Sequence, residues 1–152
     1  MTTETFSDYV AQQDARNTIQ LNVRKWTLML CDALRQNYIN YSIDSHKKSI
    51  YLADAGDSFS KNYHIACIQD LRNGKCDYDF FIEEGRKYLK IVKQMGSQEI
   101  VWGFIVKKDD KKFRAGDILK AASWAAPARN QARGNILDGD FSWVRWTGPE
   151  YL

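Results

Sequence analysis

Leu21, Val23, Trp26, Leu30, Ala33 and Leu34 recur at near-helical intervals, and ahead of them Asn17 and Gln20 have the spacing of a capping box. This pattern predicts a helix over 18–36 with one buried stripe. A shorter helix is expected over about 4–14, with Ser7 and Asp8 as start signals. Downstream the period changes. "YINYSID" (38–44) and "KSIYLAD" (48–54) alternate polar with aromatic or aliphatic residues around "SHK", which reads as a β-hairpin, and "YHIACI" (63–68) reads as a further short strand. "AGDSFSKN" is expected to be loop, and the Asn-Gly of "RNGKCD" a turn.

Residues 79–95 fit two periods. Phe81, Tyr88 and Val92 suit one face of a helix, whereas Tyr88 to Ile91 alternate as in a strand. Gly85 interrupts the helical pattern and "MGSQ" supplies a tight turn into "EIVWGFIVK", so a strand over about 86–94 is expected. "KDDKKFRAGD" then returns the chain to "ILKAASW". The expected architecture is α+β: an antiparallel meander of strands 86–94, 98–107 and 117–124 packed against N-terminal helices in a single domain. Residues 1–36 form its helical part and 37–152 are mainly sheet and loops. On the first strand Arg86, Tyr88 and Lys90 point one way, and Lys87, Leu89 and Ile91 the other.

Composition narrows the class. A chain of 152 residues buries enough surface to fold without a metal or disulfide staple. The three cysteines are widely spread, which points to reduced thiols. His64, Cys67 and Cys76 offer three metal ligands but no paired spacing, so neither a metal nor a cofactor is expected. His46, in the predicted hairpin loop, is read as a surface residue and His64 as one near the core. No apolar run is long enough to cross a bilayer and the N-terminus has no signal-peptide pattern, so a cytoplasmic protein without a membrane partner is expected. The net charge is only +3, but residues 107–135 carry eight cations against three acids.

The run "EEGRKYLKIV" followed by "VWGFIVKKDDKKFRAGDILKAASWAAPARNQARGNI" resembles a family of small tailed-phage accessory proteins. In that family a short "EGxKYxKI" segment precedes a hairpin ending in a GDxxKAASWxAPAxxxRGNI-type motif. The likeness covers residues 83–137 and implies a phage origin and an action in the host cytoplasm. This chain departs from the motif in its longer, more charged "KKDDKKFRAGD" turn and in "PARNQARGN", where the family has a shorter link.

The motif suggests an anion site. Alanines around Trp124 let a ligand approach the backbone, Pro127 fixes the exit of the chain, and Ser123 offers a hydroxyl. Lys120, Arg129 and Arg133 offer charge, and arginine holds phosphate through two parallel bonds. Trp124 can stack on a base, and Arg86, Tyr88 and Lys90 extend the same set. Trp143 and Trp146 are read as anchors of the C-terminal segment. No nucleophile, base or metal constellation is recognisable, and no catalytic residues are assigned. The expected function is that of a non-catalytic, phage-encoded protein binding a nucleotide signal or nucleic acid, with counter-defence by sequestration as its purpose. The alternatives are a protein–protein inhibitor docking on a host or phage enzyme and a metal-dependent nuclease using Asp138 and Asp140.

Overall fold

The structure is a computed structural model that describes residues 5–53, 56–138 and 145–149. Its first element, α1 (Phe6–Leu52), is an unbroken helix of 47 residues. At 1.5 Å per residue it is about 70 Å long. No glycine or proline occurs before Gly56, so nothing interrupts the helical backbone. The helix begins at a capping box made by Thr5 and Asp8: the Asp8 amide donates to Thr5 Oγ1 at 3.1 Å, and the Thr5 amide to Asp8 Oδ2 at 3.4 Å. Asn17 and Gln20 therefore lie inside α1 and cap nothing.

The hairpin expected over 38–54 is corrected to helix through Leu52. Ile39, Ile43, His46 and Ile50 recur at helical spacing, and this longer period prevails over the local alternation because it faces α2 (Ser58–Arg72), which folds back against α1. "YHIACI" lies within α2, so the strand expected there is also corrected. Asp57 caps α2 by accepting from the Ser60 amide at 3.0 Å. Gly74, at φ 82°, ends it in the expected Asn-Gly turn.

Four strands follow, β1 (Tyr78–Glu84), β2 (Tyr88–Met95), β3 (Gln98–Val106) and β4 (Ile118–Leu119). They form an antiparallel sheet in chain order, β1-β2-β3-β4. The meander is as expected. The strand expected over 117–124 is only two residues long, and β1 supplies an additional edge. Glu84 pairs with Leu89 and Phe104 with Leu119; the β2–β3 register shifts between Ile91 and Val92.

Each face of the sheet buries a core. Toward α1, Phe80, Leu89, Ile91, Trp102, Ile105 and Ile118 meet Val23, Leu30, Cys31 and Leu34. Leu21, on the predicted stripe, is instead 69% exposed. On the opposite face Phe104, Val106 and Leu119 join Phe113, with Tyr88, Ala121 and Ala132 packed around them, so the segment after β3 folds over the sheet and covers it. That segment is held by a clasp in which Asp117 bridges to Asn135. Asn135 Nδ2 donates to Asp117 Oδ1 at 2.9 Å and to the Ala115 carbonyl at 3.0 Å, and Asp117 Oδ2 accepts from the Arg114 amide at 2.8 Å. Gly116 sits at φ 89° inside the clasp. The C-terminal segment returns to the helix side, where the Trp102 indole donates to the Arg145 carbonyl at 2.8 Å and the Trp146 amide to Asn37 Oδ1 at 3.0 Å. Trp146 packs edge-on against Tyr38 and Tyr78, as expected of an anchor; Trp143 lies outside the described residues.

Candidate functional site

The tight turn Gly85–Tyr88 joins β1 to β2, closed by the Gly85 amide donating to the Tyr88 carbonyl at 2.9 Å. Arg86 and Lys87 occupy its tip and are exposed. A second turn comes from the motif. After Lys120 the chain reverses, with Ala121 bridged to Pro127, the Ala128 amide donating to the Lys120 carbonyl at 2.7 Å and the Ala122 amide to the Ala126 carbonyl at 3.0 Å. This reversal shortens the expected third strand and puts Ser123, Trp124 and Ala125 at the tip of a narrow ribbon.

Between the two turns lies a groove of about 450 Å³ lined by Arg86, Lys87, Tyr88, Lys90, Phe104 and Trp124, with Glu83 and Glu84 along one side. Trp124 remains 46% exposed. The Lys90 ammonium lies 4.1 Å from the centroid of its ring, a cation–π contact, and 3.6 Å from Glu83 Oε2. Glu84 is drawn the other way, toward Lys107 and Arg24 at 3.2 Å each. The Lys107 ammonium, with Arg24 behind it, holds the Glu84 carboxyl below its ordinary pKa. Both acids are thus engaged by cations, while among the described residues neither Arg86 nor Lys87 enters an ion pair.

Arg129 borders the groove at Tyr88. One of its nitrogens donates to the Tyr88 hydroxyl, another to Asp110 Oδ2 at 3.0 Å, and its Cζ lies 4.9 Å over the Phe113 ring. It joins the ribbon's exit to the charged turn. The amides of Phe113 and Lys112, together with the Arg129 guanidinium, hold the Asp110 carboxyl down at about 2. "KKDDKKFRAGD" is therefore an ordered turn, with Asp110 Oδ1 accepting from Phe113 at 2.7 Å and Asp109 Oδ1 from Ala115 at 2.7 Å.

The expected residues divide. Arg86, Tyr88, Lys90 and Trp124 come together in the groove, Arg129 stands at its edge, and Lys120 and Ser123 are exposed on the adjoining ribbon. Arg133 is only 2% exposed, and its amide donates to the Ile118 carbonyl at 2.7 Å, so it belongs to the interior next to the clasp. Lys87 and Phe104 complete the groove without having been singled out in the sequence. Strand alternation assigned Lys87 to the other face, but the strand begins only at Tyr88 and alternation does not extend into the turn. Asp138 ends the short 3-10 turn Ile136–Asp138 and is exposed; Asp140 lies outside the described residues. Among the described residues no helix is long and apolar enough to cross a membrane.

A family of unknown function, DUF7717, matches residues 6–149 of the chain. No curated protein and no solved structure matches it.

Proposed function

The chain belongs to the DUF7717 family of unknown function, and from the groove beside Trp124 we propose that it is a non-catalytic binding protein for a phosphate-bearing ligand, a nucleotide or single-stranded nucleic acid. The observation that carries this reading is the half-exposed indole resting on the Lys90 ammonium, facing a turn that presents Arg86 and Lys87. A base stacked on an aromatic ring gains about 1–3 kcal/mol. Cations at the rim add phosphate contacts whose strength falls as salt rises. Both chemistries meet in one groove large enough for a nucleotide; of its two acids, Glu84 is engaged by Lys107 and Arg24 and Glu83 by the groove's own Lys90. The likeness of residues 83–137 to phage accessory proteins supports a phage-encoded role in the host cytoplasm, with sequestration of a nucleotide signal as its purpose.

Titration of the purified protein at low salt, followed by tryptophan fluorescence, tests this with single-stranded oligonucleotides and cyclic dinucleotides in parallel. Saturable binding to one of them is expected, and binding to neither rejects the proposal. A steep loss with salt identifies an extended nucleic acid, a shallow one a small nucleotide.

A second reading, a protein–protein inhibitor, is favoured by the large aromatics exposed at the two ends of the helical layer: Phe6 at 81%, Tyr51 at 86% and Phe59 at 85%. It predicts a stoichiometric protein partner that is captured from infected cells and survives nuclease treatment.

A further inference from the structure

The chain contains two histidines, and the helical hairpin brings them face to face. His46 projects from α1 and His64 from α2, with their Nδ1 atoms 2.8 Å apart and their ring centroids 5.0 Å apart. Both side chains are half-buried, and the Tyr63 ring stands edge-on to His64 at 5.2 Å. A hydrogen bond across this gap requires one Nδ1 to carry a proton and the other to accept it, so the two rings cannot both be charged while it lasts. Burial, and His64 beside it, push the His46 pKa below its ordinary value. Uncharged imidazole is the form that binds metal ions.

We propose that His46 and His64 form a two-nitrogen chelating site for a divalent transition-metal ion of the Ni²⁺, Cu²⁺ or Zn²⁺ class, bridging α1 and α2. Two imidazole nitrogens each about 2.0 Å from a common ion lie about 2.8 Å apart when they subtend a right angle and about 3.3 Å apart at the tetrahedral angle. The observed 2.8 Å is the separation of the hydrogen-bonded pair, and it already brings both Nδ1 atoms within reach of one shared ion. For both Nδ1 atoms to ligate, the ring that donates in the hydrogen bond takes the tautomer with its proton on Nε2, and each ring turns about its Cβ–Cγ bond so that the two Nδ1 lone pairs meet at a shared point beside them. Among the described residues no set of three His, Cys, Asp or Glu side chains is placed to hold a metal, so water fills the other coordination positions. The site is thus open and exchangeable, unlike a structural zinc site closed by four protein ligands. Its two ligands come from different helices, so the ion binds the native packing in preference to the unfolded chain and raises stability by linkage.

Calorimetric titration of Ni²⁺ into tag-free, reduced protein near neutral pH tests the proposal, together with thermal unfolding in the presence and absence of the ion. One ion per chain and a rise in Tm of several degrees are expected, with both lost in His46→Gln and in His64→Gln. Absence of binding at millimolar Ni²⁺, or unchanged affinity in either folded variant, overturns it. Imidazole nitrogen NMR of the wild-type protein titrated with Zn²⁺ gives an answer independent of any variant's folding. The Nδ1 resonances of both rings are expected to move together with saturation, and a titration that leaves either of them in place also overturns the site.

Discussion

A Cβ placed on Gly116 would meet the Asn135 side-chain oxygen at 2.8 Å, inside any tolerated contact distance. Gly116 also holds a φ of 89°, so both space and backbone conformation demand glycine there. The clasp between Asp117 and Asn135 closes only because that contact is possible. Gly116→Ala is expected to destabilise the protein by roughly 3 kcal/mol or more, combining backbone strain with a broken buried hydrogen-bond network. Gly96→Ala is the control: its φ is 62° but nothing lies within 4 Å of the added methyl. About 1 kcal/mol is expected there, from the left-handed backbone alone. Urea unfolding of the two variants measures the difference, and equal losses would show that crowding at the clasp contributes nothing.

Trp124→Ala is expected to weaken nucleotide or oligonucleotide binding by about 1–3 kcal/mol, roughly 5- to 150-fold, with little change in Tm, because the ring is half-exposed. Arg86→Ala should lower affinity and reduce the salt slope by about one. Arg133→Ala should lower Tm, since this side chain lies in the interior. Binding isotherms at several salt concentrations, with melting curves of the same variants, separate the three outcomes.

Acid stability should report the Asp110–Arg129 junction. The folded carboxyl titrates near 2 against an ordinary 3.8, so its contribution is complete above the unfolded value and is lost as pH falls through the folded one. Asp110→Asn is expected to flatten the decline of the urea midpoint in that window. Glu84 is lowered in the same direction by Lys107, so part of the slope should remain in the variant.

Cys31 is buried beneath the sheet, and burial pushes its thiol up to about 12. The thiolate is the nucleophile. Iodoacetamide near neutral pH is therefore expected to leave Cys31 unmodified in the native protein and to alkylate it in urea. Peptide mass spectrometry reads the site directly, and native modification of Cys31 would contradict its burial.

The parts of the fold legible in the sequence are those where a single period dominates. β2 and β3 alternate cleanly, and Leu89 and Ile91 face the helix-side core, as alternation requires. Val23, Leu30 and Leu34 likewise declare one buried helical stripe. Over 38–54 two periods coexist, and the choice between them rests on α2, a partner with no signature of its own in that stretch. Capping residues misled for a related reason: Asn17 can begin a helix, but with no breaker ahead of it the helix simply continues through.

The candidate site was legible in its residue types and less so in its grouping. Tyr88 and Lys90 share a face by strand geometry, Arg86 joins them from the turn ahead of the strand, and their meeting with Trp124 depends on the chain reversal after Lys120. That reversal also dissolves the expected cluster of Lys120, Arg129 and Arg133. Arg129 was drawn to Tyr88 and Asp110, and Arg133 to the interior near the clasp. The pairing of Asp117 with Asn135 spans 18 residues with no periodic signal. It accounts for the Gly-Asp and Gly-Asn ends of the motif as architecture.

The bond from Trp146 to Asn37 joins residues 109 apart in the chain, whereas the helical hairpin and the sequential strands are assembled from near neighbours. During translation, therefore, the hairpin and the meander can form as they emerge, but the Tyr38–Tyr78 aromatic cluster stays unsealed until residue 146 has cleared the ribosome. A nascent chain stalled before that point would present these stacked rings to the chaperones around it.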